Sequence, residues 1–289
     1  LCGMVSPARL RVMLAEFVYC YLLRPWPLRQ LTNWTIRKLL PKSVRRGDST
    51  IVLNPRDPVV SGALFFGVYE KGETAFVQRA LRSGMTVLDV GANVGYYTAL
   101  AARRVGPSGR VIALEPDPES FEYLEQTIAA NEVGNVDAFQ CAAADHEAKM
   151  TLHISKDNRG DNRLYEPDPK WSKVTVTARP ADDILKEVNV GPVDFIKIDV
   201  QGFEASVIKG LQNTIGQSEE LTLLAEFWPK GLRDAGGDPK EFLECLRDHD
   251  LQLHELTPKG ELVELTDFDD LIARHKGRRY TNIVGRKTK

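Results

Sequence analysis

The residues best suited to chemistry are acidic or small, and they follow short apolar runs with the composition of strands. The run Thr86–Val90 carries Asp89 and leads into a turn that begins at Gly91 and ends at Gly95. Glycines let the backbone approach a ligand closely, and the first N–H groups of a following helix would point into the same crevice. Glu115 ends the next run, about 20 positions on, where a carboxylate can accept hydrogen bonds from both hydroxyls of a ribose. The pattern predicts a nucleotide-binding crevice.

Two residues of the turn discriminate between nucleotide cofactors. Dinucleotide sites carry G-x-G-x-x-G, but Asn93 stands where the second glycine would be, and its bulk hinders a diphosphate. Asp89 would also repel a diphosphate, whereas its charge suits the cationic amino-acid end of S-adenosylmethionine. The turn therefore predicts S-adenosylmethionine rather than a nicotinamide dinucleotide.

Charged residues on two later apolar runs are candidates for the reaction itself. Lys197 and Asp199 are two positions apart and so point to the same face of a strand. Glu226 lies in the run Leu221–Phe227. Methyl transfer from a sulfonium requires that the acceptor be positioned and its proton removed. We expect Asp199 to be the general base, with Lys197 and Glu226 setting its pKa and orientation. The alternative is a structural ion pair of Lys197 with either carboxylate.

A bound metal ion is a further alternative at the same place. Asp199 and Glu226 are similar to the carboxylates that hold magnesium in catechol-type methyltransferases, and Mg²⁺ accepts one or two carboxylates with water and substrate. No third ligand can be identified, so Mg²⁺ is not favoured and no metal ligand is assigned. Glu204 suits a helix dipole as well as a substrate. His153, on an expected exposed strand beside the polar loop 155–172, could reach a substrate, although surface histidines are common.

The elements that position these residues alternate along the chain. Runs rich in Val, Ile and Leu are typical of strands buried on both faces; they cover 86–90, 110–114, 136–141, 193–199 and 221–227. Helical stretches follow them at 95–104, 118–131, 202–214 and 238–248. This alternation implies right-handed crossovers and a parallel sheet.

Other runs add antiparallel strands. They lie at 251–256, 261–265 and 280–284, and a separate hairpin is expected from 150–154 and 174–177. The predicted fold is a doubly wound, mostly parallel, seven-stranded Rossmann-like α/β sheet with an added β-hairpin and a helical N-terminal extension.

Three regions divide the chain. Residues 1–48 are expected to be a helical basic extension; 49–83 contain short β-type runs at 50–53 and 63–68 and a helix at 72–81; 84–289 form the main domain. The first 46 residues carry nine Lys and Arg against Glu16 alone, although the net charge of the whole chain is −2. Such an arm suits nucleic acid or the surface of a membrane, but a solvated or docking helix is the simpler interpretation.

Composition limits the class of protein. The hydrophobic fraction of 43% and the charged fraction of 27% are ordinary for a globular protein. The four cysteines form no CxxC pair, so neither a zinc site nor a disulfide framework is indicated. The apolar stretch 12–23 is interrupted by Glu16 and falls short of the about 20 residues that span a bilayer. We therefore expect a cytoplasmic protein.

Taken together, the motifs resemble the FkbM family of methyltransferases. The matching segments are 89–98, 115–117 and 196–204, with Glu70 in the lead-in and 282–284 near the end, so that the resemblance covers about Tyr69 to Arg286. It implies a class I methyltransferase fold. It also implies transfer of a methyl group from S-adenosylmethionine to hydroxyl oxygens of sugars, glycolipids or polyketide-type molecules.

The resemblance also implies site residues. Those expected at the methionine end of the cofactor are Asp89, Gly91, Asn93, Gly95 and Thr98, with Glu115 at the ribose and Ala142, between Cys141 and Ala143, at the adenine. Ala92, Tyr97, Pro116 and Asp199 complete the expected cofactor-binding set. Gln201 is a departure, because the family commonly has Glu there, which puts an acid–base or ligand role at that position in question.

Two other functions stay open at this point. The first is an RNA or protein methyltransferase that docks through the basic arm, which contains Trp26 and Trp34 for stacking. We do not favour it, because the rest of the chain is acidic overall. The second is a partner protein that binds the cofactor without catalysis. We favour a small-molecule or glycan acceptor, with peripheral membrane contact by the N-terminal helix as an added alternative and the oligomeric state left open.

Overall fold

The computed structural model describes residues 28–156 and 158–287. In chain order its strands are β1 (Ser43–Arg46), β2 (Ser49–Val52), β3 (Thr86–Val90), β4 (Arg110–Leu114), β5 (Val136–Phe139), β6 (Ala142–Ala143), β7 (Ala148–Ile154), β8 (Ser172–Arg179), β9 (Phe195–Ile198), β10 (Leu221–Phe227), β11 (Gln252–Leu256), β12 (Leu262–Glu264) and β13 (Thr281–Lys287). Its helices are α1 (Leu28–Leu39), α2 (Pro58–Phe66), α3 (Lys71–Ala80), α4 (Tyr96–Val105), α5 (Pro118–Asn131), α6 (Ala181–Glu187), α7 (Glu204–Lys209), α8 (Gln212–Gln217), α9 (Pro229–Asp234), α10 (Pro239–Asp248) and α11 (Phe268–Arg274).

An eight-stranded sheet forms the centre, in the order β12-β11-β13-β10-β9-β3-β4-β5. The five strands from β10 to β5 are parallel, whereas β13, β11 and β12 pair antiparallel. The strand order reverses between β3 and β9, and in such sheets ligands bind outside the carboxyl ends of the strands at that point. The predicted doubly wound fold is confirmed, and the sheet has eight strands rather than seven because all three of the expected runs 251–256, 261–265 and 280–284 join it.

Apolar side chains from alternate strand positions pack on opposite faces of this sheet. Leu88, Ile112 and Ile196 belong to one buried cluster, which also contains residues of α7, α8 and α10. Their chain neighbours Val87 and Val111 belong to a second cluster, with residues of α3 and α4. Because successive side chains of a strand point to opposite faces, the sheet is covered on both sides. This explains why its central strands are almost continuously apolar.

A second, three-stranded sheet has the order β6-β8-β7. Strands β7 and β8 pair antiparallel from Ala148–Ala178 to Ile154–Ser172, which confirms the added hairpin. The loop that joins them contains one short 3₁₀ turn, Arg159–Asp161. The predicted strand 136–141 ends at Phe139 in the central sheet, and β6 then pairs with β8 instead.

Two predictions for the N-terminal part are wrong. The run 63–68 lies mostly in α2, because Asp57 accepts hydrogen bonds from the N–H groups of Val59 and Val60, Pro58 starts the helix, and Gly67 ends it at φ 71°. The helical assignment up to residue 48 fails at β1, which turns at Gly47 and pairs antiparallel with β2. The predicted helices within residues 1–27 lie outside the described residues.

The predicted helix 202–214 is also wrong as a continuous element. It is divided into α7 and α8 at Gly210, where a Cβ atom would overlap the carbonyl oxygen of Ala144. Three short helices, α6, α9 and α11, were not expected. Each has six or seven residues, which is too short to show a clear helical period.

The exposed side of α1 combines apolar and basic groups. Trp34 is 60% and Leu39 68% exposed, and Lys38 is exposed between them. Within the described ranges, none of the helices has the length and apolar character that crossing a membrane requires.

The close approach of β3 and β9 at their carboxyl ends generates a stability prediction. Gly91 has φ +83°, and a Cβ atom there would overlap the backbone carbonyl of Asp199; Gly84 has a similar φ of +86° but only one atom within 4 Å. Gly91→Ala should cost about 2 to 4 kcal/mol through backbone strain and overlap, and Gly84→Ala about 1 kcal/mol through strain alone. Urea denaturation measures both, and equal losses would contradict the packing argument.

Candidate active site

A cavity of about 630 Å³ opens at the carboxyl ends of the parallel strands. Its walls come from the segments that follow β3, β4, β5, β9 and β10, and from the β7–β8 loop. Trp171, Trp228, Arg278 and Tyr280 also line it. It lies at the reversal of strand order, where the fold predicts a ligand.

The residues expected to bind the cofactor divide into two sets. Those that line the cavity are Gly91, Asn93, Glu115, Pro116, Ala142 and Asp199. Those buried outside its lining are Asp89, Ala92, Gly95, Tyr97 and Thr98. The second set belongs to β3, the turn after it and the start of α4, next to Gly91 and Asn93 of the first set, and so it can act by supporting them.

Asp89 is almost fully buried beside the cavity, with 1% of its surface exposed. Its Oδ2 accepts a hydrogen bond of 2.6 Å from Thr98 Oγ1, whereas its Oδ1 has no hydrogen-bond partner in the described chain. Burial raises the pKa of this carboxyl group, and the charge of Lys197 opposes the rise. An unpartnered buried oxygen costs free energy unless a ligand supplies a donor, so the site fits a cationic group.

Glu115 is held by the turn that follows β3. Its two carboxylate oxygens accept hydrogen bonds of 2.8 Å from the N–H groups of Asn93 and Asp117. Asn93 has φ 51°, a left-handed conformation that asparagine tolerates. Burial, and next the charge of Asp117, raise the pKa of Glu115 to about 8. Each oxygen keeps a second lone pair that a ribose hydroxyl can use.

The three candidate catalytic residues lie together at the ends of β9 and β10. Lys197 Nζ is 3.2 Å from Asp199 Oδ2 and lies over the Tyr97 ring, 4.7 Å from its centroid. Burial opposes the charge of Lys197, but the carboxylates around it, first that of Asp199, raise its pKa. Burial, and next Asp199, raise the pKa of Glu226 well above its usual range. Asp199 and Glu226 line the cavity, and Lys197 is buried beside them.

Gln201 connects the two carboxylates. Its Nε2 donates to Asp199 Oδ1 and to Glu226 Oε2, at 3.0 Å each. The sequence indicated only that glutamine departs from the resemblance, and it gave no sign of this bridge.

Glu70 is a second residue whose place in the site the sequence did not reveal. It precedes α3, has φ 35° and lines the cavity. Burial raises its pKa to about 7, and the charge of Lys197 acts against the rise. The resemblance marked Glu70, but nothing local showed that α3 brings it to the strand ends.

The β7–β8 loop is fastened over the Glu115 side of the cavity. The Arg159 guanidinium binds Asp117 Oδ2 at 2.5 Å and Glu119 Oε2 at 2.6 Å. Its backbone N–H donates to Asp57 Oδ2 at 3.1 Å. The long polar loop signalled a functional segment, but these partners are about 40 and 100 residues away in sequence, beyond the reach of pattern analysis.

Aromatic rings form another part of the wall. The Arg163 guanidinium lies 4.7 Å from the centroid of the Trp228 ring and 5.5 Å from that of Trp171. His153 does not belong to this wall. It is 5% exposed and lies outside the cavity lining, so the expectation that it is exposed on its strand is wrong.

Metal-ligating side chains are not grouped in this site. Within the described part of the chain, no three His, Cys, Asp or Glu side chains are arranged so that they could hold a metal ion. Glu204 serves the turn instead, because its Oε1 accepts hydrogen bonds from the N–H groups of Val200 and Gly202.

Comparison with protein families agrees with this geometry. The model of the methyltransferase FkbM domain matches residues 89–252, more than half of the chain. The chain belongs to the FkbM methyltransferase family. S-adenosylmethionine is accordingly its cofactor, and the unpartnered Asp89 oxygen and the Glu115 carboxylate fit the ammonium group and the ribose of that molecule.

Three curated methyltransferases show how far the similarity to known proteins extends. Methyltransferase 1 of Beauveria bassiana is 27% identical over 146 residues, covering 44% of this chain and 58% of that protein. Methyltransferase sdnD of Sordaria araneosa is 25% identical over 183 residues, covering 53% and 70%. Hexuronic acid methyltransferase AglP of Haloferax volcanii is 23% identical over 160 residues, covering 55% and 60%. The chain thus spans less than two thirds of the first and third of these relatives.

The raised pKa of Glu115 predicts how stability depends on pH. The folded state holds the Glu115 proton up to about pH 8, whereas an ordinary carboxyl group loses it near 4.5. Stability from this group therefore falls as pH rises through that window. The amide of Glu115→Gln cannot ionise, so this loss is absent in the variant. The melting temperature of the variant minus that of the wild type should therefore increase from pH 5 to pH 8.5. Glu125→Gln, on the exposed face of α5, is the control; a constant offset for Glu115→Gln would contradict the assignment.

Proposed function

We propose that this FkbM-family protein methylates a hydroxyl oxygen of a sugar, glycolipid or polyketide-type small molecule, with Asp199 as the general base. The observation that carries the proposal is the position of Asp199. It lies on the wall of the cavity that also contains Gly91, Asn93 and Glu115, and both its oxygens are fixed by hydrogen bonds.

The residues divide the work of the reaction. S-adenosylmethionine supplies a methyl group that is already activated by its sulfonium, so the chain has to orient the acceptor and take its proton. Lys197 and Gln201 each bind one oxygen of the Asp199 carboxylate, and about a quarter of this side chain stays accessible (23%). Lys197 keeps its positive charge among the carboxylates and so stabilises the ionised base.

The remaining walls suit a polar acceptor. Asn158, Arg159 and Asn162 offer hydrogen-bonding groups along the β7–β8 loop, while Trp171 and Trp228 offer aromatic surface. Sugars present both kinds of surface. The name of one relative, hexuronic acid methyltransferase AglP, supports a carbohydrate acceptor in the same sense. Contact of the N-terminal segment with a membrane surface, which would suit a glycolipid acceptor, stays a prediction supported by the exposed Trp34 and Lys38 of α1.

The cofactor role is tested by calorimetric titration with S-adenosylmethionine and, separately, with NAD. We expect micromolar binding of S-adenosylmethionine alone. Glu115→Ala should weaken it at least tenfold, because a carboxylate that accepts hydrogen bonds from a ligand contributes about 1.5 to 3 kcal/mol, whereas the exposed Glu125→Ala should leave it unchanged. Preference for NAD, or equal effects of the two substitutions, would overturn the cofactor site.

The catalytic role is tested by product formation. Glycosides and polyketide alcohols are screened for S-adenosylhomocysteine release, and the best acceptor is then used with Asp199→Asn. Loss of a general base should lower kcat by about 10² to 10⁴, while affinity for S-adenosylmethionine changes less. Asp248→Asn, exposed at the end of α10, controls for the loss of one charge. Unchanged kcat in Asp199→Asn would show that another group takes the proton.

A further inference from the structure

The Gln201 amide occupies an unusual position between two acidic side chains. One nitrogen, Nε2, lies 3.0 Å from Asp199 Oδ1 and 3.0 Å from Glu226 Oε2. An amide nitrogen carries two hydrogens, so each carboxyl group receives one of them. The nitrogen therefore stands where a proton or a cation shared by the two groups would stand.

The backbone fixes this placement. Gln201 has φ 54°, and Gly202 has φ 102° with its Cα packed against the backbone of Gly231. Glu204 Oε1 accepts hydrogen bonds from Val200 N–H at 3.2 Å and Gly202 N–H at 3.1 Å. A positive φ is a strained conformation for a non-glycine residue. The turn keeps Gln201 in that conformation because its neighbours on both sides are held.

Gln201 lies in a part of the site that is crowded with acidic side chains. Glu70, Asp89, Asp199 and Glu226 lie close enough to influence one another, and Lys197 is the cation among them. One lysine cannot neutralise four carboxylates in a buried site, where unpaired charge is costly. The remaining negative charge requires protons, a metal ion or strong hydrogen-bond donors.

We propose that Gln201 takes the place of a cation between Asp199 and Glu226, holding both carboxyl groups with its amide hydrogens and closing that position to a divalent metal ion. Gln201 is then a positioning residue. The consequence for methyl transfer, that Asp199 acts as base without a metal neighbour, rests on the proposed function, but the bridge itself does not.

Replacing the amide nitrogen of residue 201 with oxygen keeps the shape of the side chain but turns a hydrogen-bond donor into a negatively charged acceptor. Gln201→Glu replaces the donor with a third carboxylate about 3 Å from the other two. Three carboxylates that converge in this way form an oxygen-ligand site suited to Mn²⁺ or Mg²⁺. The same exchange at Gln252, an exposed residue of β11, adds an equal charge away from the cavity and is the matched control.

The experiment is titration of the full chain with MnCl₂, followed by calorimetry and by the electron paramagnetic resonance signal of free Mn²⁺. We expect Gln201→Glu to bind one Mn²⁺ at least tenfold more tightly than the wild type or Gln252→Glu. Addition of Glu226→Gln to Gln201→Glu should abolish that gain. Wild-type affinity equal to that of Gln201→Glu would overturn the proposal, and so would a folded Gln201→Glu that binds no more tightly than Gln252→Glu.

A second variant, Gln201→Met, keeps the volume of the side chain and removes both donors. Glu226 then faces Lys197 of β9, Asp199 directly after β9, Glu204 of α7, Glu70 and Tyr280 without the bridging amide. The folded state of the variant should hold the Glu226 proton to still higher pH than the wild type does, so its stability falls further as pH rises. The loss of melting temperature relative to the wild type should widen as pH rises through the range in which Glu226 of the wild type loses its proton. A constant loss would show a packing role alone and would overturn the proposal.

Neither experiment needs S-adenosylmethionine, an acceptor or turnover. A failure of the bridge is therefore distinguishable from a failure of the proposed methyltransferase function, which the Asp199→Asn experiment addresses.

Discussion

The site depends on one buried positive charge. Among the residues whose burial the structure describes, Lys197 is the only buried lysine or arginine, and acidic groups surround it. Its Nζ donates a hydrogen bond to Asp199 and lies over the Tyr97 ring, so the position of this charge is fixed. Carboxyl groups that would otherwise repel one another can gather at the strand ends because this cation lies among them. Cofactor site and proposed base are therefore parts of one electrostatic unit.

Backbone packing gives that unit its geometry. The carbonyl of Asp199 lies against Gly91, which couples the turn after β9 to the turn after β3. Gly202 likewise lies against the backbone of Gly231, which couples the turn after β9 to α9. Side chains cannot fit at these contacts, so the distances between the strand ends are set by main-chain atoms. Such contacts are stiffer than contacts between flexible side chains, and a site that positions reacting groups benefits from that stiffness.

The sequence predicted those features that depend on neighbouring residues. Strands β3, β4 and β10 were placed with correct bounds because their apolar runs are local signals, and the Gly91 turn follows from its spacing. Features that depend on distant contacts were missed. The β-type run 63–68 is mostly helical in the structure because Asp57 caps α2. The predicted helix 202–214 is divided at Gly210 because the backbone of Ala144 lies against that glycine. The contacts of Arg159 and the hydrogen bond from the Gln201 amide to Glu226 also depend on tertiary structure.

The same distinction separates the two halves of the cavity. The half proposed to bind the cofactor is built by residues that follow β3 and β4 directly, so a short motif specifies it. The other half is assembled from the β7–β8 loop, Trp228 and the segment before β13, including Arg278, and no single motif contains them. Substitutions in these segments can change the proposed acceptor surface without moving Lys197 or Asp199, because Lys197 lies on β9 and Asp199 follows it directly. The cofactor motif thus constrains the reaction, while the proposed acceptor surface depends on long-range contacts that the motif does not specify.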